Sequence, residues 1–254
     1  MKKMNKRQII TILVTLLTIT LNGLANTIPF NGQGTGEISD KFSIMFVPAG
    51  YVFSIWGLIY IGLIMFTVFQ ALNSQGNNSL IDKIAPAYWI ANIGNVIWLF
   101  LWHWEYFPLT LLAMVTILGS LIALYLHFGK TRTPLTSSEV WFVKVPFSIY
   151  LGWISVAIIA NFSQVLFFVG WNGFGLSPDI WAAIMLAVAV VLGILMLTRE
   201  KDYAYTAVLV WAFIGIASKQ ADNLTVFSAA WAATALIILV GLITFFKMRM
   251  KGDQ

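Results

Sequence analysis

Long apolar runs recur along the whole chain, and they constrain its fold more than any other feature. Each run has roughly 20 residues, enough for a helix to cross a hydrocarbon layer about 30 Å thick. Charged residues make up only 10% of the 254 residues, whereas a soluble domain carries about 25%. Because backbone polar groups in lipid need internal partners, such runs must be helical. The sequence therefore predicts an all-α membrane protein with eight transmembrane helices, at roughly 8–25, 48–72, 84–103, 107–128, 140–168, 178–198, 203–219 and 224–246.

The positions of the basic residues predict how these helices are oriented. An even number of spans places both termini on one side, and only Lys41 and Lys219 of the fifteen Lys and Arg residues then lie on the other side. Lys and Arg concentrate in cytoplasmic loops, so we predict a multi-pass plasma-membrane protein with cytoplasmic termini. The remaining basic residues form no single patch, so no nucleic-acid partner is predicted. They are Lys2, Lys3, Lys6, Arg7, Lys83, Lys130, Arg132, Lys144, Arg199, Lys201, Lys247, Arg249 and Lys251.

The first apolar run and the loop that follows it each leave an alternative open. Basic residues, the apolar stretch 9–21 and the small residues Gly23 and Ala25 also resemble a secretory signal peptide, whose cleavage would leave seven spans. The loop 26–47 contains several glycines, and we expect it to be mobile unless it packs over something.

The ionisable residues argue against several activities. All ten acidic residues fall in predicted loops or at span ends, whereas ion-coupled transporters place ionisable groups along their membrane path. No Cys is present, and His103 and His127 fall near opposite membrane faces, so no metal site is predicted. We interpret His103 as part of an interfacial aromatic belt rather than as a haem ligand. No nucleophile, phosphate-binding or dinucleotide motif occurs in a credible context, so no catalytic residue and no cofactor are predicted.

Aromatic and amide residues instead recur at helical spacing in three of the predicted spans. A buried amide without a partner in lipid costs roughly a few kcal/mol, so the Asn residues should face the interior. Interhelical packing explains each stripe taken alone. Together they predict the wall of a pocket for a flat, mostly apolar ligand. The stripes are Phe53, Trp56 and Tyr60; Asn92, Asn95, Trp98 and Trp102; and Tyr150, Trp153, Ala157 and Asn161.

Three segments, in this order, carry a resemblance to a known family. They are FVPAGYVFSIW at 46–56 with Leu58 and Tyr60 after it, N-x-x-W from Asn95 to Trp98, and VPFSIYLGWISVAIIAN at 145–161. The chain thereby resembles the TspO/MBR proteins, the tryptophan-rich sensory proteins that include the mitochondrial translocator protein. The third segment is the most specific match. Tyr51 and Ala49 depart from the family pattern, which has Trp and Pro at these positions.

The resemblance implies a fold division and a function. It implies a five-helix core over residues 1–168, complete without the three-helix extension 178–254, which would lack a counterpart in ordinary members. It further implies a frequent homodimer in the lipid bilayer that binds a porphyrin or related tetrapyrrole, in order to sense or move it. Two alternatives stay open: an enzyme that oxidatively degrades porphyrin, and a transporter or assembly subunit for another apolar solute. The predicted ligand-binding residues are Tyr51, Phe53, Trp56, Tyr60, Asn92, Asn95, Trp98, Trp102, Phe147, Tyr150, Trp153, Ala157 and Asn161.

Overall fold

The computed structural model describes residues 3–131 and 134–252, without the side chains of 251 and 252, and every regular element in these ranges is helical. Of the basic residues used to predict orientation, Lys2 and Arg132 lie outside the described residues. The α-helices are α1 (Lys6–Thr27), α2 (Thr35–Asp40), α3 (Ile55–Ala71), α4 (Ser79–His103), α5 (Phe107–Tyr125), α6 (Ser137–Glu139), α7 (Val145–Phe168), α8 (Pro178–Leu195), α9 (Tyr203–Lys219) and α10 (Leu224–Gly252).

Seven helical segments in the described residues are long and apolar enough to cross a membrane. One of them joins α6 to α7 through the π-helical turn Val140–Lys144. The eighth predicted span is present as α9, but it has only 17 residues and is therefore about 26 Å long. The predicted class, an all-α membrane protein, is confirmed, and the predicted count of eight becomes seven long spans and one shorter apolar helix.

Helix α1 buries its polar face and exposes its apolar face. Its buried residues include Thr11, Thr15, Thr18 and Asn22, whereas Leu13 and Leu16 are 60% and 57% exposed. A water-soluble helix shows the reverse distribution. The arrangement suits a helix in lipid, where polar side chains find their partners on neighbouring helices.

The polar face of α1 is hydrogen-bonded to α3 and α4. The Thr15 hydroxyl lies 2.5 Å from the hydroxyl of Tyr88 and 2.8 Å from that of Thr67. Farther along, the Asn22 amide donates to Oδ1 of Asn95 at 2.8 Å. These bonds fix the rotation of α1 about its axis, because turning the helix would bury its leucines and leave the amide of Asn95 without this donor.

Replacing the hydroxyl at the centre of this network should destabilise the protein. Thr15→Val keeps the side-chain shape but removes the group that bonds Tyr88 and Thr67. We expect the free energy of unfolding in detergent to fall by about 1 kcal/mol, the usual size of interhelical hydrogen bonds in membranes. Thr198→Val is the matched control, because Thr198 is exposed and its hydroxyl donates to Ile194 of its own helix. Equal stability of the two variants would contradict the assigned role of Thr15.

The chain divides into two compact units, and the division falls within α7. Unit 1 comprises Met1–Lys41 and Ile55–Ile154, and unit 2 comprises Phe42–Ser54 and Ser155–Gln254. The domains predicted from the sequence, 1–168 and 178–254, were defined by the order of the spans along the chain and not by contacts. The division into these two domains stays a prediction.

In unit 2, the segment 45–52 lies directly against α9. The backbone N–H of Ala49 donates to the carbonyl of Gly215 at 3.0 Å, and the indole N–H of Trp211 donates to the carbonyl of Val52 at 3.1 Å. Gly215 allows this approach, because a Cβ atom there would lie 2.1 Å from Cγ2 of Val52. Part of the motif that carries the family resemblance is therefore held by a helix of the predicted extension.

Candidate functional site

Four of the predicted aromatic residues meet within unit 1 and form what we call the aromatic cluster: Trp56, Tyr60, Tyr150 and Trp153. The ring of Trp56 lies at its centre, 5.6 Å from Tyr60, 6.0 Å from Tyr150 and 6.3 Å from Trp153 between centroids. Tyr60 is stacked on Trp56, and the other two rings meet it edge-on. Tyr150 and Trp153 are buried, whereas Trp56 and Tyr60 are half-buried. The cluster therefore keeps part of its aromatic surface uncovered.

Two predicted amides lie on α4 in the same unit. Asn92 and Asn95 are both buried. The side-chain amide of Asn92 donates to the carbonyl of Tyr88 at 2.9 Å, and Oδ1 of Asn95 accepts from Asn22. Both amides therefore face the interior, as predicted. Each has a polar atom that is hydrogen-bonded to another residue of the helix bundle.

The indole N–H of Trp98 is a buried donor in unit 1 that has no hydrogen-bond partner among the described residues. The Trp98 ring stacks on Trp102 with 5.4 Å between centroids. Trp98 follows Asn95 by three residues, so the two side chains lie on one face of α4. A buried donor without a partner costs about 1–3 kcal/mol.

Phe147 and Trp102 take packing positions in unit 1. The ring of Phe147 is buried 4.9 Å from Phe66 and 5.6 Å from Tyr88. The indole N–H of Trp102 donates to the carbonyl of Thr35 at 3.2 Å. Both side chains therefore have structural contacts whether or not a ligand is present.

The other four predicted residues belong to unit 2. Tyr51 is exposed and meets Trp211 edge-on at 5.4 Å. Phe53 and Ala157 are half-buried, and Asn161 is buried. Nine of the thirteen predicted residues therefore belong to unit 1, and the membership of all thirteen in one ligand site stays a prediction.

The segment that follows α1 is held against the end of α4 within unit 1. Phe30 stacks on Phe100 at 5.6 Å, and the side-chain amide of Asn31 donates to the carbonyl of His103 at 3.0 Å. His103 is buried and its ring hydrogen-bonds to Leu99 and Thr35. His103 is thus covered by this segment, and its interpretation as part of an interfacial aromatic belt stays a prediction.

An ion pair outside the membrane spans also connects the chain after α1 to Glu105, which follows α4. The ammonium of Lys41 and the side-chain amide of Gln33 both donate to a carboxylate oxygen of Glu105. The hydrogen bond from Lys41 is the main reason why the pKa of Glu105 lies below its usual value. Since the side chains of Lys41 and Glu105 are 47% and 40% exposed, this pair contributes little to stability.

Sequence reasoning missed the contribution of α1 to this region. Asn22 bonds to the predicted residue Asn95, and Thr15 bonds to Tyr88, but neither Asn22 nor Thr15 was among the predicted residues. The signal was available as the spacing of Thr11, Thr15, Thr18 and Asn22, at steps of four, three and four, which places four polar side chains on one face of an apolar span.

The architecture defines a multi-pass helical membrane protein with an aromatic and amide-rich interior. The chain matches the family model of the TSPO-like proteins over residues 8–243, nearly its whole length, and it belongs to this family. The match includes α8, α9 and α10, so the last three helices, expected to lack a counterpart, fall within the matched region. No curated protein and no solved structure gave a significant match to the chain.

Proposed function

We propose that this protein binds a planar hydrophobic ligand, a porphyrin or another tetrapyrrole, and thereby senses or moves it. The observation that carries the proposal is the aromatic cluster, in which Trp56 holds Tyr60, Tyr150 and Trp153 within 5.6–6.3 Å. Aromatic rings bind flat conjugated ligands by stacking, and Trp and Tyr do so with few rotatable bonds. The half-buried rings of Trp56 and Tyr60 are the ones on which a ligand would stack.

The half-buried ring of Trp98 and the buried amide of Asn95, on one face of α4, support a lining that is mostly apolar with a few polar groups. Ligand pockets are mostly apolar and contain a few polar groups that fix the orientation of the ligand. A tetrapyrrole suits such a lining, because it is broad and flat and carries polar groups at its edge. The resemblance of the three sequence segments to the tetrapyrrole-binding TspO/MBR proteins supports the same ligand class.

The experiment that tests the proposal is a titration of the purified protein with a free-base porphyrin, a metalloporphyrin and a linear tetrapyrrole. We expect saturable quenching of Trp fluorescence together with a shift of the ligand's visible absorption, for at least one of the three. Quenching that rises linearly and equals that of detergent with free tryptophan would contradict the proposal. Illumination in oxygen provides a separate arm, since a new absorbing product would indicate the porphyrin-degrading enzyme instead.

We further propose that both termini are cytoplasmic and that the membrane is the plasma membrane, on the basis of the basic-residue distribution. The chain has no Cys, so single cysteines report one position each. Gly36→Cys and Lys130→Cys are suitable because both positions are exposed. An impermeant thiol reagent added to intact cells should label position 36 and label position 130 only after lysis. The reverse pattern would contradict the orientation.

A further inference from the structure

A cavity of about 680 Å³ lies in unit 2, and none of the residues of the aromatic cluster lines it. It is formed by the segment 43–46, the last two turns of α7, the connection 171–178 and the first two turns of α8. Its volume falls within the range of about 300–1,000 Å³ that is typical of ligand pockets. The proposed tetrapyrrole site makes no use of these residues.

One wall of the cavity is an aromatic turn whose backbone conformation requires a glycine. The ring of Trp171 lies 5.0 Å from Trp181 and 5.1 Å from Phe174. The indole N–H of Trp181 donates to the carbonyl of Gly173 at 2.8 Å. Gly173 has φ +65°, and a Cβ atom there would lie 2.8 Å from Nε1 of Trp181. The hydrogen bond from Trp181 and the positive φ of Gly173 therefore position the aromatic side chains of this wall.

The lining gives the chemical class of the occupant. The residues that form the cavity include no Asp, Glu, Lys, Arg or His. Three polar groups in the lining are bonded within the protein: Trp181 donates to Gly173, the Ser163 hydroxyl donates to Ile159 at 2.9 Å, and Oδ1 of Asn172 accepts from the N–H of Phe174. A carboxylate or phosphate would find no counter-charge here, so the occupant is uncharged and apolar where it contacts the protein.

The depth of the cavity and the character of its rim indicate where the occupant comes from. The cavity extends to Phe162, six residues before the end of α7, and to Met185, seven residues after the start of α8. These positions are about 10 Å along the helices from their ends. Phe162, Phe167 and Phe174 line the cavity and are exposed, Phe174 by 81%. So apolar a rim is suited to a mouth that opens to hydrocarbon, and an empty groove beside hydrocarbon would forfeit dispersion contacts on both sides.

We propose that this cavity binds the hydrocarbon chain of a membrane lipid as a resident ligand. An acyl chain is the uncharged apolar group that is most abundant beside such a mouth, and it needs no polar partner. The inference goes beyond the proposed function, since it concerns another site and another chemistry, and either can fail without the other.

Native mass spectrometry of the protein extracted in a mild detergent tests the proposal. Met185→Trp places a large ring in the cavity. Ala187→Trp is the matched control, because it lies two residues further along α8, is exposed and does not line the cavity. We expect wild type and Ala187→Trp to retain one lipid per chain. Retention should fall about tenfold in Met185→Trp, which corresponds to losing the burial of roughly two methylene groups.

A second variant keeps the test independent of how Met185→Trp folds. Ser163→Trp fills the cavity from α7 instead of α8, and thermal melting identifies variants that remain folded. Lipid loss in either folded cavity variant, with retention in Ala187→Trp, supports the site. Absence of retained lipid from the wild type, or equal retention by all folded variants, would overturn the proposal.

Discussion

Gly215→Ala is expected to lower the melting temperature of the protein by several degrees. In most helices this substitution is stabilising, because Ala has a helix propensity better than that of Gly by about 1 kcal/mol. In α9 the added methyl would lie 2.1 Å from Cγ2 of Val52 and 3.1 Å from Cβ of Pro48. Forcing the two segments apart should cost about 1–3 kcal/mol, as overpacking usually does, and should strain the hydrogen bond from Ala49 to the Gly215 carbonyl.

Gly241→Ala provides the matched control in the same unit. Gly241 also lies inside a helix, α10, but its added Cβ would meet nothing closer than 3.9 Å. We expect this variant to melt at or above the wild-type temperature. Both variants are compared by the thermal unfolding of purified protein in one detergent. A Gly215→Ala protein as stable as Gly241→Ala would show that 48–52 is not held against α9.

Ala157→Phe is expected to weaken tetrapyrrole binding by at least about tenfold, a loss of about 1.4 kcal/mol or more. Ala157 follows Trp153 by four residues on α7, so both side chains lie along one face of the helix. A phenyl ring at 157 would add bulk to the face of α7 that the sequence predicts to line the ligand pocket. Asn161→Leu lies one turn further along α7. Leu has a volume similar to that of Asn but lacks the amide group, so this substitution should weaken binding less.

The control for Ala157→Phe is the same change at an exposed position in a span. Ala123 is exposed on α5, and Ala123→Phe should leave both binding and melting temperature unchanged, because lipid accommodates added apolar bulk. The measurement is the dissociation constant from the fluorescence titration, with thermal melting of the unliganded variants alongside. Wild-type affinity in Ala157→Phe would mean that this face of α7 only packs against the protein.

Hydropathy and periodicity predicted most of the helices and several of the buried faces. The apolar runs indicate which segments cross the membrane, because lipid tolerates few charges, and steps of three and four indicate which side chains share a face. These two signals correctly placed Asn92, Asn95 and Trp153 in the interior. They also predicted the bounds of α9, 203–219, which at 17 residues is shorter than the seven long membrane-spanning segments.

Other features depend on contacts that are remote in sequence, and no local pattern reports them. The approach of Val52 to Gly215 joins residues more than 160 positions apart, and only the structure shows why a glycine is needed there. His103 belongs to an aromatic sequence that is typical of a membrane interface, but the segment from Phe30 to Thr35 covers it. Thr15 was missed because a hydropathy scan treats Thr as nearly neutral, whereas its hydroxyl has specific partners.

The central claim, that the aromatic cluster stacks on a planar ligand, is tested most directly at Trp56. Trp56 is the ring that the other three contact, and it is half-buried, so its replacement disturbs packing less than replacement of the buried Trp153. The measurement is the tetrapyrrole dissociation constant of Trp56→Leu beside that of Trp231→Leu, which removes an exposed indole of unit 2. We predict a loss of affinity of at least about tenfold for Trp56→Leu and none for Trp231→Leu. Equal, wild-type affinity of two folded variants would contradict the claim.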